Sequence, residues 1–291
     1  MSASYNTTQY NTILDAANAI AAPFITTTGG AQNEYAYSLY SATQLQNEYG
    51  VVDDVWAAGG PIVGYNSPNG PYNAATDCSG FTARVLSCVR VQGHQSLYAN
   101  LVMVDGQLVS FKTPTHPQPF PSAMDFANYF TGADTGMNRT NSLWQPIAYQ
   151  SSSAASGSLS NVQPGDILAY SLPPGNTDTG HVMTVYSIEE LTRGQQSQAW
   201  PTHLNEFTGS NRFFAVTVYD SSNVLHYQDT RVNGATGVGR GTVLVITDMN
   251  GAPVGFQFNE NFVLLYVKPI ATTLSKTDLL GTLAVGRGIP R

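Results

Sequence analysis

The sequence predicts an α+β protein in which a helix that begins beside a cysteine packs on an antiparallel β-sheet. Three observations carry this. The run Thr76-Asp77-Cys78-Ser79-Gly80-Phe81 passes from a loop into an apolar helical stretch, read over Thr82 to Val91. The later segments Ile167–Tyr170, His181–Ile188, Phe213–Tyr219 and Thr242–Thr247 are short and rich in Val, Ile, Phe, Tyr and Thr, the composition of strands. Asn250-Gly251, set between Thr242–Thr247 and Val254–Phe258, is a hairpin turn signal, which makes at least part of the sheet antiparallel.

The chemistry starts at Cys78. Asp77 is a good helix-capping residue, so the helix start falls at Cys78 for a physical reason. A cysteine there sits at the positive end of the helix dipole, which favours thiolate over thiol and predicts a nucleophile. The competing reading is a small buried apolar residue. That reading fits Cys88, which is expected mid-helix among Val85, Leu86 and Val89. On one helix the two sulfurs lie roughly 15 Å apart, so no disulfide joins them.

A thiol nucleophile needs a base from elsewhere in the fold. Of the histidines His94, His116, His181, His203 and His226, His181 stands at the start of a convincing strand. It follows a Pro164-Gly165-Asp166 turn, the Ile167–Tyr170 strand and a polar loop. The third member is expected at Asp220. If Phe213–Tyr219 pairs antiparallel with the His181 strand, its end brings Asp220 beside His181, where a carboxylate can orient the imidazole. The alternative for Asp220 is a turn former with Ser221 and Ser222. His226 and His203 compete for the base role, and Asp229 with Arg231 reads as a structural ion pair or a substrate contact. No spacing of Cys, His, Asp and Glu fits a known metal site, so neither metal nor cofactor is expected.

The Cys78 motif, followed by Pro-Gly-Asp, a strand, a loop and Gly180-His181-Val182 opening another strand, resembles the NlpC family of cell-wall cysteine endopeptidases, a papain-like group. The resemblance runs in order over about Val55–Val267, with its specific motifs at residues 76–81, 164–188 and 213–220. It implies a papain-like fold, a Cys78–His181–Asp220 triad, and hydrolysis of amide bonds in peptidoglycan stem peptides. The third position is often histidine in that family, so Asp220 is a departure. The resemblance also suggests oxyanion or substrate contacts near the nucleophile, from Asp77, Ser79 and Trp56 in Val55-Trp56-Ala57-Ala58-Gly59-Gly60, where the family often has a tyrosine. Two alternatives stay open: a related thiol amidase, deamidase or acyltransferase acting on a protein or lipid amide, and an inactive cell-wall-binding module.

The chain of 291 residues carries a formal charge of −7, with only 11% charged residues. Without a Lys/Arg cluster, nucleic acid is not an expected partner. No apolar run approaches the roughly 20 residues that span a membrane. The uncharged polarity resembles secreted or surface-exposed bacterial proteins, and the expected location is outside the cell or in the envelope. The N-terminus carries no basic signal-peptide region.

Three divisions follow. Residues 1–50 form an N-terminal helical segment, with helices over Asn11–Ala22 and Ala31–Tyr49. Residues 51–268 form the catalytic domain. An insertion at about 92–160 holds a hairpin over Leu101–Phe111, a helix near Ala123–Phe130 and a Ser-rich linker at Ser151–Ser160, and is expected to cap or wall a substrate groove. The glycine-rich stretch Gly234–Gly241 reads as a loop, Phe262–Val267 as the strand that closes the sheet, and residues 269–291 as a loosely packed tail.

Overall fold

The computed structural model describes residues 9–26, 32–35, 62–66, 72–91, 96–109, 111, 120–140, 142–176, 178–192, 195, 211–231, 235–267 and 279–289. Its helices are α1 (Ile13–Thr26), α2 (Cys78–Ser87), α3 (Leu97–Val102) and α4 (Ala123–Phe130). Three strands, β1 (Gln32–Tyr35), β2 (Ile62–Asn66) and β3 (Tyr72–Thr76), form a small sheet in the order β1-β3-β2. A two-residue hairpin follows, β4 (Met103–Val104) with β5 (Gln107–Leu108). The main sheet is built from β6 (Trp144–Ser151), β7 (Ala155–Gly157), β8 (Ile167–Ser171), β9 (Gly180–Glu190), β10 (Arg212–Ser222), β11 (Gly237–Thr247), β12 (Pro253–Gln257), β13 (Leu265–Tyr266) and β14 (Thr282–Gly288).

These nine strands run in the order β13-β12-β11-β10-β9-β8-β14-β6-β7, and every neighbouring pair is antiparallel. The sheet is curled, so that β12 meets β14 and β6 across its inner face. Side chains alternate between the two faces, as strand geometry requires. On β8, Ile167 and Ala169 join the core under the helices, while Leu168 and Tyr170 fill the inside of the curl. Ala284 and its neighbours Leu283 and Val285 divide in the same way on β14. Among the described residues no helix is long and apolar enough to cross a membrane.

The strand expectations at Ile167–Tyr170, His181–Ile188, Phe213–Tyr219 and Thr242–Thr247 fall on β8, β9, β10 and β11. The Asn250-Gly251 turn joins β11 to β12, with Gly251 at φ 91 as such a turn needs. Helix α4 covers the expected residues because Ser122 and Asp125 form a reciprocal capping box at its start.

Elsewhere the structure corrects the sequence. Helix α2 starts at Cys78 and ends at Ser87, so Cys88 is its C-cap rather than a mid-helix residue. Residues 32–35, expected in a helix, form β1 alongside β3; the remainder of that expected helix lies outside the described residues. The 101–111 hairpin is shorter than expected, because Leu101 and Val102 end α3. The region 92–160 adds to the main sheet. Its strand β6 pairs with β14 inside the main sheet, and its Ser-rich stretch contains β7 and a 3₁₀ turn, Leu159–Asn161. Residues 237–241 are strand rather than loop. The supposed tail contributes β14, which lies between β8 and β6 with Leu283 and Ala284 fully buried. Phe262–Val267 yields β13, which forms one edge of the sheet.

Candidate active site

Helix α2 sets Cys78. The Asp77 carboxylate accepts from the Gly80 N–H at 2.7 Å and from Ser79 Oγ at 3.0 Å, capping the helix one residue before the cysteine. The two side chains expected to contact substrate beside the nucleophile are thus bonded to each other. The loop leading in is fixed from the sheet, since Ser221 Oγ on β10 donates to the Thr76 carbonyl at 2.6 Å. Trp56 lies outside the described residues.

Strand β9 sets His181. Asp178 Oδ1 accepts from the Gly180 N–H at 3.0 Å, closing the turn into the strand. Gly180 stands at φ 123, a conformation that suits glycine. His181 then faces Tyr170 across β8, with ring centroids 6.3 Å apart. Phe258 packs edge-on to the same imidazole at 5.3 Å.

The pairing of β9 with β10 is antiparallel, and it brings Asp220 to His181: Nε2 lies 2.6 Å from Asp220 Oδ2. That carboxylate is fully buried and has two further partners. His226 Nε2 is 2.8 Å from the same Oδ2, and Arg231 Nη2 donates to Oδ1 at 2.8 Å. Asp229 supports both newcomers. Its Oδ2 accepts from the His226 backbone N–H at 2.7 Å, and its Oδ1 accepts from Arg231 Nε at 2.9 Å. The expected Asp229–Arg231 ion pair is therefore present, and Arg231 reaches beyond it to Asp220.

Burial by itself pushes the Asp220 carboxyl up. Arg231, His226 and the hydrogen bonds from both imidazoles outweigh that and hold it well below the usual carboxylate range. Burial likewise opposes the Arg231 charge, and Asp220 and Asp229 more than compensate, raising it. An ionised carboxylate can only accept, so both imidazoles present Nε2–H to Asp220 and, when neutral, carry their lone pairs on Nδ1.

Cys78 departs from expectation. It is only 4% exposed. Burial, then the charge of Asp77, then those of Asp178 and Asp220, push its thiol well above the ordinary value, against a smaller lowering from the Val182 backbone. The helix dipole does not prevail, and the resting group is a neutral thiol rather than the expected thiolate. Asp178 and Asp220 both act on the thiol, which places the sulfur in the neighbourhood of the carboxylate that His181 meets, although among the described residues no hydrogen bond joins sulfur and imidazole. Tyr170 shares this neighbourhood. Burial, Asp178, Cys78 and Asp220 all raise its phenol, which stays protonated.

His181, Asp220 and His226 offer three possible metal-ligand atoms within 4.8 Å of one another. The separations of 2.6 and 2.8 Å are those of hydrogen bonds. Ligands about 2.0–2.1 Å from a tetrahedral zinc lie roughly 3.3 Å apart, and the buried Arg231 charge already neutralises the carboxylate. The arrangement fits a proton-handling network and not a cation site.

Sequence reasoning placed His226 as a rival to His181, whereas the structure makes it a partner on the same carboxylate. The density of polar groups in His226-Tyr227-Gln228-Asp229-Thr230-Arg231, so soon after Asp220, was the available signal. No protein-family model, no curated protein and no solved structure matches the chain.

Proposed function

We propose that the protein is a thiol hydrolase of papain-like type that cleaves amide bonds in peptidoglycan stem peptides, working in the cell envelope or outside the cell. The observation that carries this reading is the 2.6 Å bond from His181 to an ionised, buried Asp220, at the start of the strand beside Cys78. It leaves His181 Nδ1 as a free base. In the proposed reaction the Cys78 sulfur attacks the amide carbonyl while His181 takes the thiol proton. Asp220 stabilises the imidazolium, which returns the proton to the leaving amine. Water then attacks the thioester, with His181 again as base, and the thiol is restored. Because the resting thiol is neutral, proton transfer accompanies attack rather than preceding it.

Purified peptidoglycan, incubated with the protein and analysed by mass spectrometry, tests this. Stem-peptide fragments should be released by the wild type, and by neither Cys78→Ala nor His181→Ala. The double variant should be no worse than either single one, because the two residues act as a unit. Fragment release by Cys78→Ala would sink the proposal.

A second reading, acyl transfer through the same three residues, is favoured by one observation: Cys78 is only 4% exposed, which limits water at a thioester. An added amine that captures the acyl group in preference to water would favour it.

A further inference from the structure

We infer that His226 is a positioning residue, acting through Asp220 to hold the His181 imidazole in its working tautomer and orientation. This rests on the thiol-hydrolase reading of Cys78 and His181. The first argument is geometric. His226 Nε2 and His181 Nε2 converge on one oxygen, Asp220 Oδ2, at 2.8 and 2.6 Å, while Arg231 holds Oδ1 at 2.8 Å. With donors on both oxygens the carboxylate cannot swing, and the lone pair offered to His181 keeps its direction.

The second argument concerns cost. The His226 side chain is fully buried, yet its Nδ1 has no hydrogen-bond partner, the nearest carboxylate oxygen being Asp229 Oδ2 at 3.9 Å. An orphaned polar atom is unfavourable, and an apolar residue would avoid it. Packing alone therefore does not explain a histidine here. The third argument is space. A Cβ at Gly241 would stand 2.6 Å from His226 Cβ, so β11 lacks a side chain where His226 crosses it.

Charge counting gives the network its use. Asp220 and Asp229 face a single guanidinium, Arg231, which leaves one surplus negative charge on the two carboxylates. The proton that His181 takes from the thiol neutralises it. The other ionisable groups around Asp220 are Cys78 on α2, Tyr170 on β8 and Asp178 in the turn before β9.

Glutamine and asparagine at position 226 separate positioning from packing. The glutamine amide can reach the place of Nε2 and donate to Asp220, whereas the asparagine amide stops near Nδ1. In a Cys88→Ala background, the rate of Cys78 alkylation by iodoacetamide is followed across pH. His226→Gln should keep the wild-type profile. His226→Asn should be slower at neutral pH by about tenfold, the factor that a hydrogen bond to a charged group is worth. Nitrogen-15 NMR of labelled histidine should show the His181 Nε2–H tautomer in the wild type and His226→Gln, and a tautomer mixture in His226→Asn. An unfolded variant would alkylate faster, the opposite sign. Equal rates and equal tautomers in the two variants would overturn the inference. Neither readout needs a substrate, so a Gln–Asn difference would uphold His226 even if peptidoglycan proved not to be cleaved.

Discussion

Gly239 is the cross-strand partner of Asp220, and its missing side chain is what lets Arg231 reach that carboxylate. A Cβ at Gly239 would lie 2.6 Å from Arg231 Nε. Two glycines on the same face of β11, 239 and 241, thus clear the ground on which the 226–231 segment lays its histidine and arginine.

Gly239→Ala should therefore push the guanidinium off Asp220 and destabilise the fold by about 1–3 kcal/mol, as overpacked interiors do. Gly255→Ala is the control. Its Cβ would meet neighbours at an ordinary 3.5 Å, and the change should stay within about 1 kcal/mol. Urea unfolding of both variants measures the difference, and equal costs would remove the steric account.

Asp220 should leave a signature in acid. Its folded carboxyl is held below its unfolded value, so the stability it contributes is present above the ordinary carboxylate range and lost as pH falls through that range toward the folded value. Asp220→Asn should remove this acid slope and leave measurable activity with an altered pH profile. Asp220→Ala leaves two imidazoles without their acceptor and Arg231 with Asp229 as its one remaining carboxylate, and should cost about 3–5 kcal/mol in stability and about 10²–10⁴-fold in turnover. Turnover per folded molecule is the deciding quantity. Full specific activity in Asp220→Ala would take it out of the triad.

Cys78 and Tyr170 should leave the opposite signature in alkali. Both are held protonated by burial, so their contribution is intact below the ordinary thiol and phenol values and lost as pH rises through the higher folded ones. Cys78→Ala and Tyr170→Phe should each flatten the alkaline loss of stability, followed by melting temperature against pH. For the same reason iodoacetamide should modify Cys78 slowly in the folded protein at neutral pH and quickly in urea. Equal rates in the two states would contradict a buried neutral thiol.

Ser221→Ala tests how the nucleophile loop is held. It deletes the 2.6 Å bond to the Thr76 carbonyl and leaves a buried acceptor unmet, at about 1–3 kcal/mol. Alkylation of Cys78 should quicken relative to Cys88 as the loop loosens. An unchanged ratio would show that the Asp77 cap alone positions the cysteine.

Local signals were readable from the chain. The Asn250-Gly251 turn and the Val-, Ile-, Phe-, Tyr- and Thr-rich runs of β8 to β11 are each written within a few residues, and the structure follows them. The antiparallel step from β9 to β10 was enough to bring Asp220 to His181. Two of the misreadings concern strands that carry glycines. Residues 237–241 were read as part of a glycine-rich loop, and 282–288 as part of a loosely packed tail. Here glycine is present because something else needs the space: Arg231 and His226 over β11, and the Phe130 ring, which a Cβ at Gly286 would overlap. Crowding from distant residues is invisible in a local window. So is the depth of burial that turned the expected Cys78 thiolate into a neutral thiol.

The position of β14 has a consequence for how the molecule assembles. Among the described residues, this strand links the six strands from β13 to β8 to the β6–β7 pair within the sheet. Its pairings with β8 and β6 join segments far apart in the chain, and contacts of such long range are slow to form. Until β14 docks, β8 and β6 each offer a row of unpaired backbone groups, the kind of edge that recruits other chains. Tyr170, which backs His181, rides on one of those edges. Docking of β14 thus completes both the sheet and the strand that carries Tyr170, and a chain that has yet to dock it exposes edges that invite aggregation.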